Sequence, residues 1–135
     1  MSVFDTLRIA GSGLTAERLR MDIAASNLAN AQTTRTAAGG PYRAEHVVFQ
    51  TSQIGSDPSS MGVIGSAVVA PGGGTVRVYD PTHPDADAQG FVAYPDVDVT
   101  TELTDMMGAS RAYQVDATVA SAAKQSALDA LEIGR

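Results

Sequence analysis

Apolar positions between residues 1 and 30 return on a helical period with no proline among them. Leu7, Leu14, Met21 and Leu28 stand seven residues apart, Val3, Ala10, Ala24 and Ala31 take the companion positions, and Glu17 is the one polar break. So narrow a line is a seam for another helix, not the broad face of a compact core. Ser2 is placed to cap this helix, with Asp5 at its third position. A helix of that length spans about 42 Å.

A second seam runs through residues 97–133. Steps of four and three from Val99 reach Leu103, Met106, Ser110, Tyr113, Ala117, Ala120, Lys124, Ala127 and Leu131, all apolar except Ser110 and Lys124, with Leu128 beside the line. Asp98, Glu102 and Asp105 suit the positive end of its dipole, and Gly134-Arg135 ends it. Alanine along the seam lets helix axes approach closely. Ile9, Leu19 and Ile23 on the first helix, and Met107, Val115 and Val119 on the second, widen both stripes beyond what one partner helix covers. That calls for neighbours from other chains.

Residues 31–96 hold the prolines and most of the glycines, which excludes helix for most of the segment. Val47–Phe49, Val68–Val69, Val76–Tyr79 and Phe91–Tyr94 are predicted strands, and Gly72-Gly73-Gly74 suits a hairpin turn between the second and third. Residues 50–65 read as a flexible loop. The expected fold is mainly α: two long terminal helices forming a coiled-coil-like hairpin, with a small irregular β-rich insert. Residues 1–30 and 97–135 form the helical part and 31–96 the insert.

Composition narrows the function. A length of 135 residues favours one folding unit. The net charge of -6, with scattered arginines and Lys124 the only lysine, excludes a nucleic-acid partner. No apolar run is long enough to cross a bilayer, and Asp5 and Arg8 stand where a secretory leader would be apolar. Aromatic residues make up 5%, so large side chains for a thick core are scarce and long, thin contacts are expected to replace it.

Candidate chemistry is sparse. Asp80, His83, Asp85 and Asp87 offer oxygen and nitrogen ligands, but Pro81 and Pro84 hold the chain extended, and the glycine and bidentate acid of a calcium loop are missing. The cluster is expected to be a rigid turn leading to the second helix, and no metal or cofactor is expected. Gly72-Gly73-Gly74-Thr75 lacks the lysine of a phosphate-binding loop. Gly108 to Ala112 lies inside a helical period, not at a strand-to-helix corner, and His46 and His83 have no nucleophile beside them. The chain does not read as an enzyme. Asn27 and Asn30 stand at the end of the first helix, where asparagine satisfies terminal carbonyls.

The string containing them, SNLANAQTTRTAAGGPYR at 26–43, resembles the N-terminal signature of the bacterial flagellar rod, hook and hook-associated family. VYDPTHPDADAQGFVAYPDVDV at 78–99 and ASRAYQ at 109–114 resemble its C-terminal half, in the proximal rod branch. The resemblance implies a structural subunit of the basal-body rod, the periplasmic shaft that carries torque from the membrane ring to the hook. Its partners would be copies of itself, other rod proteins, the adaptor at the membrane ring and the flagellar type III export apparatus, which needs no cleavable leader. Terminal helices would form an inner tube and order on assembly. Asn27, Asn30, Thr34, Arg35, Gly39, Gly40, Pro41 and Tyr42 match the motif that ends the first helix. Asp80 to Asp87 match the turn before the second. These residues would set the angle between helices and insert, with Arg35 and Arg43 pairing acids on neighbouring subunits. Two other readings remain: a self-contained hairpin module presenting its β-unit to a ligand, and a metal-dependent hydrolase built on the 80–87 carboxylates.

Overall fold

The computed structural model describes residues 3–55, 58, 60–70 and 74–134. Helix α1, Val3–Ala29, and helix α2, Val99–Ile133, enclose four strands: β1, Glu45–Gln53; β2, Met61–Val69; β3, Thr75–Tyr79; β4, Phe91–Pro95. The expected helical ends and β insert are therefore both present. Ser2 as a cap, and Gly72, Gly73 and Arg135, lie outside the described residues. Helix α2 starts where Asp98 accepts from the Thr100 N–H at 2.9 Å and from the Thr101 hydroxyl, filling donor positions the first turn leaves open. Gly134 caps its far end.

The strands form two separate antiparallel hairpins, β1 with β2 and β3 with β4. This corrects two expectations. Val68–Val69 and Val76–Tyr79 are not partners across the glycine triplet, because β2 and β3 lie in different sheets. Nor is 50–65 a loop throughout: β1 runs to Gln53 and β2 begins at Met61, in register Gln53↔Met61 to Glu45↔Val69. The Ile54 N–H donates to the Ser60 carbonyl at 2.8 Å and closes that hairpin. Gly62 is required there, since a β-carbon would collide with Ile54 and the Ser12 hydroxyl.

Helix α1 lies between α2 on one side and the β1–β2 hairpin on the other. The Ser12 hydroxyl accepts the Val63 N–H at 3.1 Å, and Leu19 packs over Gly65. The β3–β4 hairpin is held by the segment leaving α1, where Val92 is fully buried. Among the described residues the buried apolar ones are Ala10, Ala16, Ile23, Ala24, Ala44, Val92 and Ala109, five of them alanine. So thin a core leaves 8789 Å² of accessible surface. A compact monomer of 13.9 kDa would expose about 6,700 Å², so roughly 2,000 Å² more than usual faces solvent. No helix of the described residues is long and apolar enough to cross a membrane.

Candidate assembly surface

Helices α1 and α2 run antiparallel and meet through small and polar side chains. Asn27 faces Glu102, Arg20 reaches Asp105 at 3.0 Å, and Gly13 lies beneath Asp116. Ala24 and Ala109 are buried nearby, and their size lets the axes approach. The stripe of α2 that is covered follows Glu102, Asp105, Ala109, Ala112, Asp116, Ala120, Ala123 and Ala127. From Glu102 to Asp116 it is turned by about one residue, roughly 100° around the axis, from the apolar seam read in the sequence, and it shares Ala120 and Ala127 with that seam. Of that seam, Met106, Ser110, Ala117, Ala120 and Ala127 are half-buried, while Val99, Leu103, Tyr113, Lys124 and Leu131 stay exposed, as does Leu128. Leu7, Leu14, Met21 and Leu28 on α1 are each half-buried.

At the closed end of this hairpin sits Asn27, with no exposed surface. Its amide nitrogen donates to the Glu45 carbonyl at 2.8 Å and to the Glu102 carboxylate at 3.1 Å. Its oxygen accepts the Glu45 N–H and the Tyr42 hydroxyl, both at 3.0 Å. All four hydrogen-bonding positions of the amide are filled. One residue thereby ties α1 to the first residue of β1 and to the first turn of α2. Asn30 bonds back to the Ser26 carbonyl and receives the Thr33 hydroxyl, which turns the chain out of the helix. Gly39 and Gly40 continue that turn at φ +87° and +77°, where glycine carries no side-chain penalty.

Thr34 and Arg35, next along, both bind Asp85, at 2.8 Å and 2.5 Å. Arg35 was expected to reach an acid on a neighbouring subunit; here its partner is within the chain, because the β3–β4 loop folds back onto the exit from α1. Arg43 is exposed and forms no ion pair among the described residues. The 80–87 cluster also differs from expectation in position. It joins β3 to β4, one strand before α2, so the turn does not lead directly into that helix.

Inside the loop each carboxylate has its own partner. Asp80 accepts the Thr82 hydroxyl and N–H, and those bonds hold its pKa below the ordinary carboxylate value. Asp87 accepts the Phe91 and Gln89 N–H groups and Arg77, with the Phe91 bond the largest cause of its lowered pKa. The bonds from Thr101 and Thr100 lower Asp98 likewise. His83 accepts the Asp85 N–H through Nδ1 and meets Tyr94 edge-on, ring centres 6.1 Å apart. Pro81 and Pro84 are exposed on the outside of the turn. Among the described residues no three His, Asp or Glu side chains converge to hold a metal.

Sequence reading missed Gly13, Arg20 and Ser12 as contact residues. A signal for the first existed: a glycine within a helix costs about 1 kcal/mol against alanine, so it invites a packing reason.

Residues 7–35 match a family model described as "Flagella basal body rod protein", and residues 88–133 one described as "Flagellar basal body rod FlgEFG protein C-terminal". The first match ends on Arg35, and the second spans the β4 strand and α2. The chain is 38% identical over 150 residues to the flagellar basal-body rod protein FlgC of Bacillus subtilis (strain 168), with 100% of both chains covered. It is 40% identical over 135 residues to the protein of that name in Escherichia coli O6:H1, again with full coverage. With that of Aquifex aeolicus it shares 33% over 125 residues, covering 93% of this chain and 92% of the relative. The chain belongs to the FlgC family of flagellar basal-body rod proteins.

Proposed function

We propose that this chain is a non-catalytic structural subunit of the flagellar basal-body rod, polymerising through its terminal helices into the shaft that crosses the periplasm and transmits torque. One observation carries the reading. The apolar stripe of α2, including Leu103, Tyr113, Leu128 and Leu131, remains exposed after α1 has packed against a neighbouring stripe of the same helix. A second apolar stripe on a paired helix needs a second partner. The surface in excess of a compact monomer is of the size that specific protein interfaces bury.

In this reading residues 1–30 with 97–135 form the inner, tube-building part, paired in the manner of a coiled coil, and 31–96 the outer part. Leu7, Leu14, Met21 and Leu28 with Leu103, Met106, Tyr113, Ala117, Ala120, Leu128 and Leu131 face neighbours. Asn27, Asn30, Thr34, Arg35 and Tyr42 fix the angle between the two parts through the bonds described above, and Arg43 is left to meet an acid of another subunit. Copies of this chain, other rod proteins, the membrane-ring adaptor and the type III export apparatus are its partners. The deciding experiment replaces Leu103 and Tyr113 by aspartate in a strain whose own gene is deleted. Loss of motility and of rods, with the purified variant keeping its helical circular dichroism, is the expected result. Normal swimming by the double variant contradicts the reading.

A further inference from the structure

The two ends of the helical hairpin differ. Gly13 lies opposite Asp116, so ten residues further along each helix Val3 lies opposite Ser126. Among the described residues, 128–133 of α2 therefore lie beyond the end of α1, an overhang of about 9 Å. Leu128, Leu131 and Ile133 on it are 45%, 69% and 87% exposed, and Asp129 and Glu132 lie between them. Nearer the other end, Met21 of α1 and Met106 and Met107 of α2 line an open groove of about 570 Å³. Arg111 stands on its rim and forms no ion pair among the described residues. Methionine side chains adapt to the shape of an apolar guest. Overhang and groove are thus complementary twice, apolar to apolar and carboxylate to guanidinium.

We infer that the overhanging end of α2 from one copy of this chain seats in the methionine-lined groove of the next, with Asp129 and Glu132 beside Arg111. This rests on the reading of the chain as a polymer subunit and names the occupant of one exposed face. Met107 and Leu131 are separated by about 36 Å of helix and cannot meet within one copy. A contact between unlike patches repeats from copy to copy without closing, which builds a filament.

The chain has no cysteine, so introduced thiols report alone. Met107→Cys and Leu131→Cys replace exposed side chains, and the full-length variants are oxidised singly and mixed, concentrated in solution and in cells making rods. The mixture is expected to form its disulfide roughly tenfold faster than a control mixture of Leu131→Cys with Thr82→Cys, since docking raises the local thiol concentration. Arg111→Glu is expected to abolish that advantage, and its combination with Glu132→Arg to restore it. No advantage of the mixture over the control overturns the head-to-tail contact, while the rod-subunit reading stands or falls on the Leu103 and Tyr113 double variant. The disulfide forming in a strain that builds rods without this chain overturns that reading and leaves the contact standing.

Discussion

The side-chain amide of Asn27 donates to the carboxylate of Glu102 at 3.1 Å, and this bond fastens the end of α1 to the first turn of α2. The same amide holds both backbone groups of Glu45 and the Tyr42 hydroxyl. Asn27→Ala leaves these groups buried without partners, and an unsatisfied buried group costs about 1–3 kcal/mol. The variant is expected to lose about 3 kcal/mol in urea unfolding of the isolated chain. A change below about 0.5 kcal/mol, the ordinary scatter of surface substitutions, speaks against the node.

Gly11 and Gly62 are expected to respond to alanine in opposite directions. A β-carbon at Gly11 meets nothing within 4 Å, so Gly11→Ala brings the helix-propensity gain of about 1 kcal/mol. At Gly62 the added carbon strikes Ile54 and Ser12, and overpacking of this kind costs about 1–3 kcal/mol. Thermal unfolding of both variants, measured side by side, checks the sign of each.

Much of this architecture is legible in sequence because helices announce themselves. The absence of proline and a sustained period mark the end of α1 and both ends of α2 to within two residues, and Asp98 caps the second helix. The long β1–β2 hairpin is not legible over Thr51, Ser52 and Gln53, where few apolar side chains alternate; it is held by pairing with β2 and by Ser12 of α1, which only the fold brings near. The orientation of α2 escapes for a different reason. An apolar period says which face needs covering but not which partner covers it, and α1 is met by Ala109, Glu102 and Asp116 instead. Asn27 reads as a helix-end residue, yet its partners Tyr42 and Glu45 reach it only after the loop has turned back.

Asp80, Asp87 and Asp98 all have folded-state pKa values below the ordinary 3.8. For a carboxylate depressed by folding, the stabilising contribution is present above the unfolded value and disappears as pH falls through the folded one. Acidification from about pH 5 downward is therefore expected to weaken the β3–β4 loop and the start of α2. Asp98→Asn keeps a capping oxygen but removes the charge, and should flatten the acid dependence of helical circular dichroism over that range.

Asp85 joins the β3–β4 loop to the exit from α1 through Thr34 and Arg35. Asp85→Ala is expected to lower stability by about 1 kcal/mol, because Arg35 is largely exposed and solvent screens the pair. Its sharper effect falls on Val92, buried beneath that contact, whose amide should exchange faster with solvent. Unchanged exchange at Val92 would show that the hairpin is anchored elsewhere.

Amide hydrogen exchange along α2, compared between the free full-length chain and the chain in isolated rods, tests the covering of the exposed stripe most directly. Amides from Tyr113 to Ile133 are expected to exchange readily in the free chain and to become protected in the rod, while those of β1 and β2 change little. Equal protection of α2 in both states would contradict the proposal that neighbours complete it.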